Sequence, residues 1–255
     1  MNKIRYRGPR RAGTFTRLAA RLAAVAAVGT SISLVLPGPA WAGTSTVAGY
    51  QASTLFGLTS ASATFTVPKI TCTSADANTV ELLGLFNLHG LTVEPLALGG
   101  PGLVAAIAAG CTGTTPGYNV NEYVNGAIDD GATVNAGDVI VVSMSQTATT
   151  EQVLVKDGSR SWPASYVSND DTAIDFGVFH ECFPAGPPCP AIKFGTANFS
   201  AVRVNTAKLS RPPHAKYNLT SPATGHTLVA TSKIGSSGDD FTLTFMNATR
   251  PRSHT

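Results

Sequence analysis

The sequence predicts an all-β protein, an antiparallel two-sheet β-sandwich. Beyond residue 42 the chain consists of short apolar or alternating runs that Gly, Pro, Asn and Asp separate, and only 13% of the residues are charged. Many short strands with regular turn signals are typical of sandwiches and barrels, and β-branched residues suit pleated surfaces. The predicted strands lie in residues 61–68, 79–90, 117–124, 137–147, 151–157, 173–181, 192–205, 226–234 and 240–247.

Turn signals separate these runs, and they explain two motifs that could suggest chemistry. DDG (129–131), NAGD (135–138), KDGS (156–159) and GSSGDD (235–240) are turn-type sequences. GSSGDD is not a nucleophile motif, because a hairpin connection between two strands accounts for it. The stretch LVAAIAAG (103–110) could form one short helix, which is too short to build a helical layer.

The first 42 residues are predicted to be a secretory signal peptide. A basic segment without acidic residues precedes the apolar residues 22–36, and PGPAWA (37–42) supplies a small-residue cleavage site. The apolar segment is shorter than the ~20 residues of a membrane span. Arg10-Arg11 is similar to a twin-arginine export signal, but the following residues fit general secretion better. We therefore expect a secreted, extracellular protein with a single β-sandwich domain at 43–255.

Removal of this segment reverses the sign of the net charge. Residues 1–42 contain seven Lys and Arg and no acidic residue, so residues 43–255 carry 11 basic and 15 acidic residues, a net charge of −4. No basic patch for nucleic acid remains. We expect no nucleic-acid partner, no membrane association after cleavage, no cofactor and a monomeric state.

The four cysteines predict two disulfides, because all of them lie in the exported part of the chain. Cys182 and Cys189 bracket the FPAGPP loop and form the local pair, and Cys72 and Cys111 remain for the second. A zinc site is a poor alternative, since the spacing matches no common ligand pattern. The acidic stretch IDDGATVNAGD lacks the order of a calcium loop and is interpreted as a solvated turn. We predict no metal site.

The run AIDFGVFHE (173–181) places acidic residues on a mostly apolar strand. Period-two alternation puts Asp175, Gly177, Phe179 and Glu181 on one face and the intervening residues on the other. Such a carboxylate either reaches solvent at the strand end or lines a cleft.

The order of segments resembles the glutamic peptidase (eqolisin) family of secreted, acid-acting β-sandwich endopeptidases. The segments that carry the resemblance span residues 49–246: GYQA with SATFTVPKI, then LFNLHG, YNVNEYVNG, VNAGDVIVVSMS, FGVFHECFP, FGTANFSAV and DDFTLTF. The resemblance implies an eqolisin-type, concanavalin-like sandwich. It also implies a catalytic pair: a Glu that takes a proton from water, and a Gln that hydrogen-bonds the developing oxyanion.

The implied site is incomplete in this sequence. Glu181 matches the general-base Glu, but the other glutamate of that strand falls at Gly177 and the Gln falls within 95–97, at Pro95, Leu96 or Ala97. The family's cleft Trp and Asp fall at Leu85 and His89. We expect His89 as a partner of Glu181, and Asn87, Asn121 and Glu122 as substrate-binding residues.

Two functions remain open from the sequence. One is an acid endopeptidase with Glu181 as general base and a nonstandard partner. The other is a noncatalytic relative that binds a peptide, a glycan or an extracellular protein. The binder would have a concave face lined by Leu85, Leu96 and Val120, whereas the enzyme would show an amide or imidazole facing the carboxylate.

Overall fold

The computed structural model describes residues 47–54, 57–73, 79–88, 103–124, 127–167, 173–182, 190–221 and 224–246. The chain divides into two units, Met1–Trp41 and Ala42–Thr255, and every described residue lies in the second. The described part contains no helix of the length and hydropathy that a membrane span needs. The predicted signal peptide lies outside these residues and stays a prediction.

Strands are the only regular secondary structure among the described residues, which confirms the all-β prediction. Their bounds are β1 Val47–Ser53, β2 Ser60–Thr66, β3 Ile70–Thr71, β4 Thr79–Leu88, β5 Leu103–Thr112, β6 Thr115–Val124, β7 Ala127–Thr133, β8 Val139–Gln146, β9 Thr150–Asp157, β10 Arg160–Val167, β11 Ala173–Cys182, β12 Lys193–Phe194, β13 Thr196–Val204, β14 Ala207–Lys208, β15 His214–Tyr217, β16 Leu219–Thr220, β17 Thr227–Thr231 and β18 Phe241–Phe245.

Two large antiparallel sheets organise these strands. The seven-stranded sheet has the order β15-β1-β11-β4-β5-β6-β7, and the nine-stranded sheet runs β10-β9-β8-β2-β13-β18-β17-β16 with β14 beside β13. Strands β3 and β12 form a small separate pair. Seven of the fifteen strand pairings in the described residues join strands that are not consecutive in the chain, among them β1 with β11 and β11 with β4.

One hydrophobic core contains residues of both large sheets. Phe176, Leu83 and Ile107 come from the seven-stranded sheet, and Phe65 and Phe199 from the nine-stranded one, and each of the five is at most 1% exposed. The period of two places one side of each strand in this core, as the alternation in β2 and β8 predicts. The opposite side of the seven-stranded sheet, which we call the outer face, is where the candidate site lies.

Three local predictions can be compared with the strands. The helix predicted at 103–110 is wrong, because these residues belong to β5, a central strand between β4 and β6. Residues of both of its faces are buried, so its sequence lacks the alternation that marks a strand. The turn at 129–131 is also wrong, since it lies inside β7. The connection at 235–240 is confirmed, because β17 and β18 pair across it.

The disulfide between Cys72 and Cys111 is confirmed. It closes a sequence separation of 39 residues, which the loop-entropy estimate converts to about 4 kcal/mol of stabilisation. Cys111 lies near the end of β5 beside the core, and Cys72 follows β3, so the bond joins the small sheet to the seven-stranded sheet. The second predicted pair lies outside the described residues, because neither side chain of Cys182 and Cys189 is described.

Candidate functional site

The outer face of the seven-stranded sheet carries a small apolar cluster of its own. Leu82, Ala106 and Phe179 are buried together there, with Val47 and Ala108 packed against them. These residues alternate along their strands with the core residues of the sandwich, such as Leu83 and Val178. Both faces of this sheet are therefore buried in its centre, although only one of them meets the second sheet.

A row of three glycines crosses the outer face next to this cluster. Gly49, Gly177 and Gly84 are direct register partners in β1, β11 and β4. A Cβ atom at any of the three would overlap a backbone carbonyl oxygen of the neighbouring strand, at Phe176, Ala48 or Ala105 respectively. A glycine inside a strand often marks such a close approach of two backbones or of a ligand. Each of three adjacent strands therefore lacks a side chain at one position of the outer face.

Asp175 lies beside the glycine row, two residues before Gly177 on the same face of β11. Its partner in β1 is Gln51, which hydrogen-bonds the Asp175 carboxyl group. The hydroxyl of Tyr217 in β15 donates to Gln51 Oε1 over 3.3 Å. A chain of three polar side chains thus runs from the sheet edge inward, and it comes from three different strands.

Burial dominates the chemistry of Asp175. The residue is only 6% exposed. Desolvation raises the pKa of its carboxyl group from 3.8 to about 8, and the hydrogen bond from Gln51 opposes this only in part. A carboxyl group with this pKa is mostly protonated at acid pH, so Asp175 is a poor general base there.

Asn121 adds a second buried polar group at the other end of the same row. It follows Gly84 and Ala106 in register, and it is 8% exposed. Its Oδ1 atom has no hydrogen-bond partner among the described residues, and the same holds for Asp175 Oδ1. Buried polar atoms are rarely left unpaired, so each such atom requires an explanation.

A second carboxylate occupies the core side of the sheet. Glu81 Oε1 accepts hydrogen bonds from His180 Nδ1 and from the backbone N–H of Ile192, each over 2.9 Å. Desolvation raises the pKa of the Glu81 carboxyl group, and the contacts with His180 and Ile192 counteract this. Because it joins β4, β11 and the segment before β12, this cluster is a structural anchor at the end of the sandwich.

The predicted catalytic pair is only partly covered by the described residues. Glu181 lies in β11 opposite Val80, but its side chain is outside the described part, and His89 lies entirely outside it. The backbones of Asn87 and Glu122 lie opposite Ile174 and Ala105, again without a described side chain. Of the predicted substrate-binding residues, only Asn121 has a described side chain.

Leu85 and Val120 do not line a concave face, the feature that would have favoured the binding function. They are 3% and 1% exposed and belong to the core between the two sheets. In β4 the residues of the outer face are Leu82 and Gly84. Leu96 lies outside the described residues.

The alternation in the sequence predicts that Asp175 lies on the same face of its strand as Gly177 and Phe179, and the structure agrees. It does not predict the residues that contact Asp175. Gln51 and Tyr217 reach it only through the pairing of β1 with β11 and β15, which no local pattern reveals. The one available signal was the alternation in 173–181. Among the described residues, no group of three or more His, Cys, Asp and Glu is placed to hold a metal ion.

Comparisons with known proteins agree with this architecture. The crystal structure of scytalido-glutamic peptidase with a transition state analog inhibitor matches at a TM-score of 0.60 and 17% identity, covering 78% of this chain and 98% of that one. SCP-B, an eqolisin solved in complex with the tripeptide Ala-Ile-His, matches at a TM-score of 0.56 and 16% identity, covering 78% and 100%. These likenesses show a shared fold.

A search of curated proteins returned no match for this chain. The profile of the Peptidase A4 family matches residues 39–245, which is most of the sequence. With the family match and the two-sheet fold in agreement, the chain belongs to the Peptidase A4 family, the eqolisins or glutamic peptidases.

Proposed function

We propose that this protein is a secreted endopeptidase that hydrolyses polypeptides at acid pH, with Glu181 as the general base. The observation that carries the proposal is the outer face of the seven-stranded sheet. There the glycine row lies beside Asp175 and in register with Asn121, two buried polar groups whose Oδ1 atoms lack partners among the described residues. Glycine positions within a strand admit a second backbone at close range.

The relatives support a polypeptide as the ligand. Scytalido-glutamic peptidase was solved with a transition state analog inhibitor, and SCP-B with the tripeptide Ala-Ile-His. An extended peptide offers alternating carbonyl and N–H groups. Asn121 Oδ1 can accept a hydrogen bond from such an N–H group, which gives the predicted substrate-binding role of Asn121 a physical basis.

In the proposed reaction Glu181 takes a proton from a water molecule whose oxygen attacks the carbonyl carbon of the scissile bond. The C–N bond then breaks, and the proton passes to the leaving amine, so that atoms and charge balance. Glu181 and Asp175 are six residues apart on one strand, about 20 Å at the usual rise. They must therefore contact different parts of the substrate, and Asp175 is not the missing partner of Glu181.

One observation favours a second function, the binding of polypeptides without hydrolysis. The family resemblance puts a glutamate at Gly177, and the structure leaves no room for a Cβ atom there. A sheet that has lost this carboxyl group can still hold an extended chain. The same assay separates the two functions.

The test is cleavage of a reduced and alkylated protein substrate by the full-length chain, from about pH 2 to pH 7. We expect cleavage in the acid range, and Glu181→Gln should lower kcat by about 10²- to 10⁴-fold, the usual contribution of a general base. Asp157→Asn is the matched control, because it removes a carboxylate of the nine-stranded sheet. Full activity of folded Glu181→Gln would refute the role of Glu181, and inactivity of the folded wild type at every pH would favour the binding function.

A further inference from the structure

The hydrogen bonds around Asp175 fix which of its oxygen atoms carries the proton. Tyr217 donates its hydroxyl hydrogen to Gln51 Oε1. Burial, and then the nearby Asp175 carboxyl group, raise the pKa of Tyr217, so this hydroxyl stays protonated and remains a donor. The amide of Gln51 therefore directs its Nε2 group towards Asp175 and donates to the carboxyl group.

The free oxygen atom of Asp175 is consequently a donor. Asp175 Oδ1 has no partner among the described residues, so the bond from Gln51 is accepted by Oδ2. In a neutral carboxyl group the oxygen that accepts is the carbonyl oxygen, and the other oxygen carries the hydrogen. The result is an O–H group in a nine-tenths buried side chain, with its hydrogen not used within the described chain.

We propose that protonated Asp175 is a substrate-binding residue that donates a hydrogen bond from Oδ1 to a main-chain carbonyl oxygen of the bound polypeptide, and that this contact is lost when Asp175 ionises. The proposal rests on the proposed function for its ligand class. It adds a residue that the family resemblance does not assign, and it makes peptide binding depend on pH.

The surroundings of Asp175 select a neutral acceptor rather than an anion. Gln51 faces it from β1, and Tyr217 is the titratable group that faces it from β15 among the described residues. The other ionisable groups of β15 point elsewhere. His214 Nδ1 contacts Pro212 O, and Lys216 Nζ donates to Thr231 O.

The strands on the other side supply no counter-charge either. Glu81 of β4 and His180 of β11 pair with each other on the core side of the sheet. With no cation from the described residues at Asp175, a carboxylate or phosphate ligand would be buried without a partner, whereas a peptide carbonyl would not.

Asn121 complements this donor. Asp175 and Asn121 are three strands and two residues apart, about 16 Å at the usual strand spacing and rise, and Gly84 and Ala106 lie on the two strands between them. An extended peptide of about five residues spans this distance. A hydrogen-bond donor at Asp175 and an acceptor at Asn121 match the carbonyl and N–H groups of a peptide main chain. Binding through these two groups does not depend on the side chains of the ligand.

The test is the binding of a fluorescently labelled, N-acetylated and C-amidated decapeptide of Ala, Val and Ser, measured by anisotropy with the full-length protein from pH 5 to pH 9. This peptide has no ionisable group, so any pH dependence belongs to the protein. With a pKa of about 8, the wild-type Kd should be constant below pH 7 and about tenfold higher at pH 9. Circular dichroism at each pH verifies that the protein stays folded.

Two variants at the same position make the test specific. Asp175→Asn keeps an acceptor for Gln51 and an N–H donor for the peptide, so we expect wild-type affinity at pH 5 without the rise in Kd at pH 9. Asp175→Leu has a similar volume but no donor, and its Kd should be about tenfold higher than that of the wild type at pH 5.

Three results would overturn the proposal: a parallel loss of binding above pH 7 in wild type and folded Asp175→Asn, wild-type affinity of folded Asp175→Leu at pH 5, or no peptide binding at any pH. The cleavage assay remains separate. Binding with the expected pH dependence but without cleavage would refute the peptidase function and retain the role of Asp175. Cleavage combined with pH-independent binding would support the peptidase function and refute the role of Asp175.

Discussion

Replacing Gly177 with glutamate should prevent the chain from folding, although the family resemblance places a glutamate at this position. The reason is steric, because a Cβ atom at Gly177 would overlap the carbonyl oxygen of Ala48 in the neighbouring strand. The overlapping atom is backbone, so a side-chain rotation cannot relieve it. Overpacking in a well-packed region costs about 1–3 kcal/mol and occasionally more, and we expect a loss of at least 3 kcal/mol here because β1 must move as a whole.

The smaller change Gly177→Ala tests the same contact without adding a charge. We expect it to lower the yield of soluble protein and the midpoint of urea unfolding. Gly117→Ala in β6 is the matched control, since Gly117 lies in the same sheet and a Cβ atom there has its nearest neighbour at 4.0 Å. A Gly177→Ala protein with the wild-type unfolding midpoint would show that the three strands are not held as closely as the glycine row implies.

Asp175→Asn should make the free energy of unfolding less dependent on pH. The folded-state pKa of Asp175 is about 8 against an ordinary value of 3.8, so between these values the folded protein keeps a proton that the unfolded chain loses. The contribution of Asp175 is thus fully favourable below about pH 4 and is lost as the pH rises towards 8. Between the two pKa values, this contribution lowers the free energy of unfolding by up to about 1.4 kcal/mol for each pH unit of increase.

Urea unfolding of wild type and Asp175→Asn from pH 4 to pH 7 measures this slope. We expect the wild type to lose stability with rising pH more steeply than Asp175→Asn. Asp239→Asn is a control of opposite sign, because its hydrogen bond from Ser237 lowers the pKa of Asp239, and that stabilisation is lost as the pH falls. Parallel curves for wild type and Asp175→Asn would mean that Asp175 is ionised in the folded protein.

The sequence predicts most of the strands because their patterns are local. Alternation in β2, β8 and β11 identifies a core side and an outer side without any knowledge of the partner strands. The pattern fails for β5, where small and apolar residues occupy both faces. A strand with small or apolar residues on both faces has no alternation to detect.

The candidate site could be predicted only in part, because it depends on register. The glycine row exists only when β1, β11 and β4 are aligned, and its members are separated by 35 and 93 residues along the chain, at positions 49, 84 and 177. The hydrogen bond from Tyr217 to Gln51 likewise joins residues 166 positions apart. A strand shift of one residue would reverse every face assignment, and no local sequence signal specifies that shift.

Peptide binding on the outer face can be tested most directly by a crystal structure of the full chain with a bound peptide-based transition state analogue at acid pH. We expect an extended ligand on the outer face of the seven-stranded sheet, with its backbone over Gly49, Gly177 and Gly84 and a carbonyl oxygen within hydrogen-bond distance of Asp175 Oδ1. A ligand bound to the nine-stranded sheet, or one that leaves Asp175 Oδ1 without a partner, would contradict this expectation.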